Sequence, residues 1–344
     1  FWLKFRILVR AMLAWSVIRP FLMVFGGCMS SIVSMEYILQ IDPSAGNLVT
    51  CTEFVFVMLQ SLPQYVTVKS TGICFEERVA SDKSHLVHGV VWVSMSVLVN
   101  VAYGYNISVP IHTLFRSCNV VSSVIVGWLF FGVSYGPCQL ISVVLVTCGI
   151  FLATIGDASV LCVQCENGIL GALTNAKDDM RVWAVGIGIL LLVLFLQAFL
   201  GHIQRIFYDR FPNTSDEFMF FSHVYALIPT FLMAQGLMSS LSNLTASRPI
   251  APWVPLPSGL VYLLANNITQ SICIRGVFAL SAVVSPLSVN LTLSVRKFSS
   301  VVFSVIWFNN PWTGLHSLAT LFIFGGSSVP IMEMWLNSRK AKEQ

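Results

Sequence analysis

The sequence predicts an all-α, polytopic membrane protein with ten transmembrane helices in two inverted five-helix repeats. Three observations carry this prediction. The 344-residue chain is 56% hydrophobic and only 10% charged, against about 25% charged in ordinary soluble domains, so a water-soluble fold could not hide its apolar surface. Ten segments reach the roughly 20 mostly apolar residues that crossing a bilayer requires. A cation-bearing polar pattern in the fourth segment recurs in the ninth.

The first span, 17–40, follows the basic, apolar stretch FWLKFRILVRAMLAW, which lacks a small-residue cleavage site and runs straight on. The second span is 46–68. A polar connection, 69–85, leads to the third, 86–105. The fourth, 109–131, opens near Pro110, and the fifth is 138–156. After the polar connection 157–181 come the sixth span, 182–203, the connection 204–216 and the seventh span, 217–241. The Pro-rich SNLTASRPIAPWVPL (242–256) suits an interfacial loop. The eighth span is 257–278, the ninth, 284–308, opens near Pro286, and the tenth is 313–336. Residues 17–156 and 182–336 are thus the two five-helix repeats, with 1–16 and 337–344 as cytosolic tails.

Ten spans put both termini on one side, and the Lys/Arg bias tests this. The terminal side holds Lys4, Arg6, Arg10, Arg19, Lys69, Arg78, Lys83, Arg205, Arg210, Arg339, Lys340 and Lys342, whereas the other side holds Lys177, Arg181 and Arg248. Twelve against three places the terminal side in the cytosol. The repeat appears when Arg116 is aligned with Lys297: RSCNVVSSVI (116–125) then matches KFSSVVFSVI (297–306) at five of the nine positions after the anchor. The two segments occupy equivalent places in halves with an odd number of spans, so the halves are inverted, as in many secondary transporters.

The remaining four cations, Arg116, Arg275, Arg296 and Lys297, lie inside or at the ends of spans. A cation at a span centre costs about 2.5–3.5 kcal/mol on insertion scales, and such residues face water, a partner or a ligand. Helical spacing shows what accompanies them. His112, Arg116, Asn119 and Ser123 recur at i, i+4, i+7 and i+11, and Asn290, Ser294, Lys297 and Ser304 form a matching stripe in the ninth span. The eighth span contributes Tyr262, Asn266, Gln270 and Cys273, and the third Asn100, Tyr103 and Tyr105. Arg296 is rotated about 100° from Lys297 and is assigned toward Glu36, Glu53 or a second phosphate. The bland reading makes these stripes interhelical glue. Against it, the two intramembrane acids, Glu36 and Glu53, cannot neutralise three core cations, and surplus positive charge calls for an anionic ligand.

Two cations on facing helices suit a diphosphate, with Arg forking onto oxygens and Lys acting as a point charge. Amides and aromatics suit a base and a sugar. No Gly-rich phosphate loop occurs, so transport by exchange is expected, without a cofactor, a metal or nucleic acid. A homo-oligomer in the lipid bilayer is left open. Export of another organic phosphate anion is the alternative. A membrane-embedded enzyme acting on nucleotide sugars, with His112 one turn from Arg116 as its acid/base, ranks lower because the interfacial loops lack an acidic motif.

Five stretches carry a family resemblance: MEYILQIDPSAGNLVTCTEFVFV (35–57), VNVAYGYNISVPIHTLFRS (99–117), FFSHVYALIP (220–229), NNITQSICIRGVF (266–278) and LSVRKFSSVVFSVIWFNNPWTGLHSLATLFIFGG (293–326). They resemble nucleotide-sugar transporters of the drug/metabolite transporter superfamily, most of all the UDP-N-acetylglucosamine/UDP-xylose branch. The resemblance implies ten helices in two inverted halves and antiport of a UDP-sugar against the nucleoside monophosphate across a Golgi or endoplasmic reticulum membrane. It also implies phosphate contacts at the positions of Arg116 and Lys297. Departures are FFSH at 220–223 for the family's FYNH, VNVAY at 99–103 for VNNYA, and Glu53 where a neutral residue is common.

Other signals are weaker. Cys162 and Cys165 form a lone CxxC, short of the four ligands of a structural zinc site. His85 and His88 read as an interfacial pair, and Asp178 and Asp179 as a solvated loop. The nine cysteines do not form a disulfide framework. Of the sequons, Asn243 alone is placed for glycosylation.

Overall fold

The computed structural model describes residues 2–69, 72–75, 79, 82–102, 105, 118–161, 180–232, 236–308 and 312–343. Among them the chain is mostly helical: α1 (Trp2–Ile41), α2 (Gly46–Tyr65), α3 (Asp82–Ala102), α4 (Asn119–Phe131), α5 (Pro137–Leu161), α6 (Met180–Arg210), α7 (Ser215–Leu232), α8 (Leu237–Thr245), α9 (Ser258–Val283), α10 (Pro286–Phe308) and α11 (Gly314–Glu343). Trp15–Ile41, Pro137–Gly156 and Ala184–Arg210 are long and apolar enough to cross a membrane, and Lys83–Val99 and Asn119–Phe131 are shorter apolar helices.

The helices start and stop where local chemistry dictates. Ser285 Oγ accepts the Ser288 N–H at 3.3 Å ahead of α10, and Pro286 fills the first helical position, where its missing N–H costs nothing. Asp216 and Glu217 stand in the first turn of α7, complementing its dipole. The seventh span was expected to run unbroken over 217–241. Instead α7 ends at Leu232 and α8 starts separately after Gly236, whose φ of +89° no ordinary helical residue adopts.

The all-α expectation needs a small correction. Val66–Lys69 (β1) pairs antiparallel with Gly72–Phe75 (β2), and Pro249–Ala251 (β3) with Val254–Pro257 (β4). The β-branched VTV run explains the first hairpin, and it ends the second span at Tyr65. The expected tails also have helical backbone: α1 begins at Trp2 and α11 continues to Glu343.

The chain forms two compact units, each drawing on both sequence halves. One comprises Phe1–Val93 with Gln204–Val284, the other Ser94–Ile203 with Ser285–Gln344. In the first, α1 packs along α9 and α2 along α7. A Cβ on Gly27 would lie 2.5 Å from the Cys273 backbone nitrogen, and one on Gly276 2.8 Å from that of Val24, so the two backbones approach as closely as glycine permits. The aromatic core of this unit gathers Val57, Phe207, Tyr208, Phe218, Met219, Ile274 and Phe278. In the second unit α5 packs along α11 and α4 against α10, around Val120, Val146, Leu287, Leu291, Phe298 and Ile323. Apolar side chains such as Trp128 (67% exposed) and Leu321 (71%) point outward, which suits lipid.

Candidate functional site

In the second unit the polar stripes of the fourth and ninth spans meet. Asn119, the first residue of α4 and 7% exposed, donates from Nδ2 to Asn290 Oδ1 of α10 at 2.7 Å. Ser294, one turn along α10 and buried, donates to the Asn290 carbonyl at 2.9 Å. Lys297 follows, half-buried on the same helix. Arg296 is also half-buried on α10. Behind α4, His202 of α6 stacks on Phe131 with ring centroids 4.9 Å apart, and its Nε2 lies 3.0 Å from the Ser123 carbonyl. The helix pair therefore carries two hydrogen-bonded amides, one buried and one half-buried, with a half-buried cation further along α10.

In the first unit a second polar set spans α1, α2 and α9. Asn266 Nδ2 donates to Glu53 Oε1 at 2.8 Å, and Thr52 Oγ1 to Asn267 Oδ1 at 3.3 Å. Ser31 Oγ lies 2.9 Å from Gln270 Oε1 and 3.0 Å from the Cys28 carbonyl. Tyr37 and Tyr262 stack with centroids 4.8 Å apart. Glu36 is half-buried on α1. Arg275 Nη2 donates to Ser61 Oγ at 3.0 Å.

Two readings of the sequence need correction. Cys28 and Cys273, expected to stay unpaired, form a disulfide between α1 and α9, because the glycine seam brings their backbones together. His85 and His88 are not an interfacial pair but are buried at 0% and 5% exposure. His85 Nε2 stands 3.3 Å from Glu217 Oε1, the other oxygen of which accepts the Val79 N–H at 3.1 Å, and His88 packs edge-on against Phe218. Histidine rings three residues apart on one helical face fit this aromatic core.

His112, Tyr103 and Arg116 lie outside the described residues, as do Cys162, Cys165, Asp178 and Asp179. Asn100 is on α3, but its side chain is outside them too. Of the predicted site residues, Asn119, Asn290, Ser294, Arg296 and Lys297 come together in one unit, and Glu36, Asn266 and Gln270 in the other. Sequence reasoning missed the Glu53–Asn266 bond. Both residues were noted as polar members of spans, but nothing in their spacing said that α2 and α9 would face each other there.

Comparison with known proteins gives this geometry a context. The profile of the UAA transporter family matches residues 16–334. The endoplasmic reticulum GDP-fucose transporter of Drosophila melanogaster is 32% identical over 316 residues, covering 89% of this chain and 87% of that protein. The UDP-xylose and UDP-N-acetylglucosamine transporter of Danio rerio is 31% identical over 314 residues, covering 89% of this chain and 90% of the relative. The human nucleotide sugar transporter SLC35B4 is 30% identical over 335 residues, covering 94% and 95%. A solved crystal structure aligns over 93% of this chain and 97% of its own, with a TM-score of 0.65 at 12% identity, a likeness of fold.

Proposed function

This chain belongs to the UAA transporter family, and from that membership we propose that it is a nucleotide-sugar antiporter. It carries a UDP-sugar, UDP-N-acetylglucosamine or UDP-xylose first among them, from the cytosol into the Golgi or endoplasmic reticulum lumen in exchange for the nucleoside monophosphate. The chain is a multi-pass membrane transporter rather than an enzyme. The observation that carries the proposal is the α4–α10 contact, where Asn119 meets Asn290 and Lys297 stands two turns further along α10. An ammonium there neutralises phosphate charge as a point charge, and the Arg116 guanidinium forks onto oxygens. Asn266, Gln270, Asn100 and Tyr103 hold the base or sugar. The repeats 17–156 and 182–336 rock about the substrate to give alternating access, with tails 1–16 and 337–344 in the cytosol.

Ten spans in two inverted halves find support in the packing. Span two lies on span seven (α2 on α7), four on nine (α4 on α10) and five on ten (α5 on α11). Neighbours five spans apart are what a two-fold axis between five-helix repeats produces. Of these helices α2, α5, α10 and α11 reach the twenty residues that crossing requires, α7 has 18 and the described part of α4 has 13.

A second reading, a GDP-sugar as cargo, is favoured by the relative named a GDP-fucose transporter, as similar as those named for UDP-sugars. Proteoliposomes preloaded with UMP, GMP, AMP or CMP separate the two. Fast uptake of UDP-N-acetylglucosamine or UDP-xylose against UMP is expected. Uptake of GDP-fucose against GMP hands the case to the second reading, and no nucleotide-sugar exchange with any preload overturns both.

A further inference from the structure

Glu53 is an acid within a membrane span, and its hydrogen-bond partner is an amide rather than a cation. A structural carboxylate in a membrane is expected to pair with a positive charge, and among the described residues Glu53 has none. If helix adhesion were the whole role, Asn or Gln would serve at lower desolvation cost. A carboxylate instead offers two oxygens and about four lone-pair sites, and Asn266 occupies one of them.

The neighbours have capacity to spare as well. Glu53 Oε2, Asn266 Oδ1, Asn267 Nδ2 and Gln270 Nε2 make no hydrogen bond among the described residues, although Asn266 and Asn267 are only 2% and 7% exposed. Acceptors and donors thus stand together where α1 and α2 meet α9, and among the described residues no cation bonds to them. Hydroxyl groups both give and accept, so this mixed set matches a polyol, whereas the Glu53 carboxylate would repel a phosphate. One turn along α9, the stacked Tyr37–Tyr262 pair supplies the apolar ring surface that a sugar's C–H face needs.

We propose that this layer of α1, α2 and α9 recognises the hydroxyl-rich sugar moiety of the cargo, and that Glu53 is the residue that sets sugar preference. The proposal rests on the nucleotide-sugar reading and assigns the part of the substrate that reading leaves open. Glu53 accepts hydrogen bonds from sugar hydroxyls through Oε2, while Asn266 holds Oε1 and fixes the carboxylate plane.

The test uses the full chain in proteoliposomes and the nucleotide sugar that exchanges fastest among UDP-N-acetylglucosamine, UDP-xylose and GDP-fucose. In Glu53→Gln the ratio of nucleotide-sugar uptake to uptake of the matching monophosphate falls at least about tenfold, the loss of a hydrogen bond to a charged acceptor. An unchanged ratio overturns the proposal, whatever happens to total uptake. A second arm needs no variant. Dicyclohexylcarbodiimide labelling of Glu53 in the wild-type chain, mapped by mass spectrometry, is slowed at least tenfold more by the saturating nucleotide sugar than by the saturating monophosphate. Equal protection overturns the proposal, and so does the absence of labelling in mildly acidic buffer, where the carboxyl carries the proton the reagent needs and silence means a carboxyl sealed inside protein. Wild-type vesicles that exchange no nucleotide sugar sink the antiporter reading instead.

Discussion

Replacing Asn119 by Ala removes the donor that sits 2.7 Å from Asn290 Oδ1. In soluble proteins such a bond contributes about 1 kcal/mol net, and interhelical pairs in membranes average about 0.6 with a maximum near 1.7 kcal/mol. Asn119 is buried and Asn290 half-buried, so the amide left behind has few replacement partners. The coupling is therefore expected in the upper part of that range, about 1–1.7 kcal/mol, or roughly 5- to 18-fold in an equilibrium constant. A cycle of Asn119→Ala, Asn290→Ala and the double variant, unfolded reversibly in mixed dodecyl maltoside and SDS micelles, reads this coupling directly. Additivity within about 0.3 kcal/mol would mean that the amides do not meet, and the α4–α10 site would fall with them. The same variants separate glue from site: KM for uptake rises if the pair helps to hold substrate, and stays put at equal folded fraction if it only joins helices.

Three further outcomes are expected. Lys297→Ala, and separately Arg116→Ala, abolishes nucleotide-sugar uptake while expression and membrane localisation persist, and normal uptake by either correctly folded variant refutes the phosphate assignment. Gly26→Ala is neutral, because its Cβ meets nothing within 4 Å, whereas Gly27→Ala drives a Cβ into the α9 backbone and costs about 1–3 kcal/mol, visible as a lower melting temperature in detergent; equal melting of the two variants refutes the close α1–α9 seam. In the turn between α1 and α2, the Ser44 hydroxyl first, then the Ser44 N–H and the Asn243 amide, hold the Asp42 carboxyl down to about 2 from 3.8. A lowered carboxyl stabilises above its unfolded value and loses that contribution as pH falls toward 2. Asp42→Asn is therefore less stable than wild type at pH 7, with the gap closing between about pH 4 and 2, and a gap that does not change with pH contradicts the hydrogen-bonded turn.

Much of the architecture was legible without coordinates. Hydropathy is a local property, so the runs ending near Ile41 and Phe131 announced themselves, as did the start of α10 near Pro286. The separate start of α8 after Gly236 was not legible, since the run from Phe218 to Met238 is mostly apolar and only the backbone shows a left-handed glycine. The β1–β2 hairpin was hidden in a connection judged by polarity rather than by β-branching.

The candidate site divides in the same way. That Lys297 and Asn290 share a stripe with Ser294 follows from 3.6 residues per turn, and that a cation in a span calls for compensation follows from the cost of desolvating charge. By itself the sequence thus determined a multi-pass membrane protein, and it predicted the spans, their orientation and a charged centre. Which stripe meets which was decided by tertiary structure. Asn119 finds Asn290 across 171 residues, Asn266 finds Glu53 across 213, and Cys28 finds Cys273 across 245. In lipid the apolar faces of helices are nearly interchangeable, so pairing depends on backbone approach at residues such as Gly27 and on a few buried hydrogen bonds. Those are properties of two helices together and are written in neither alone.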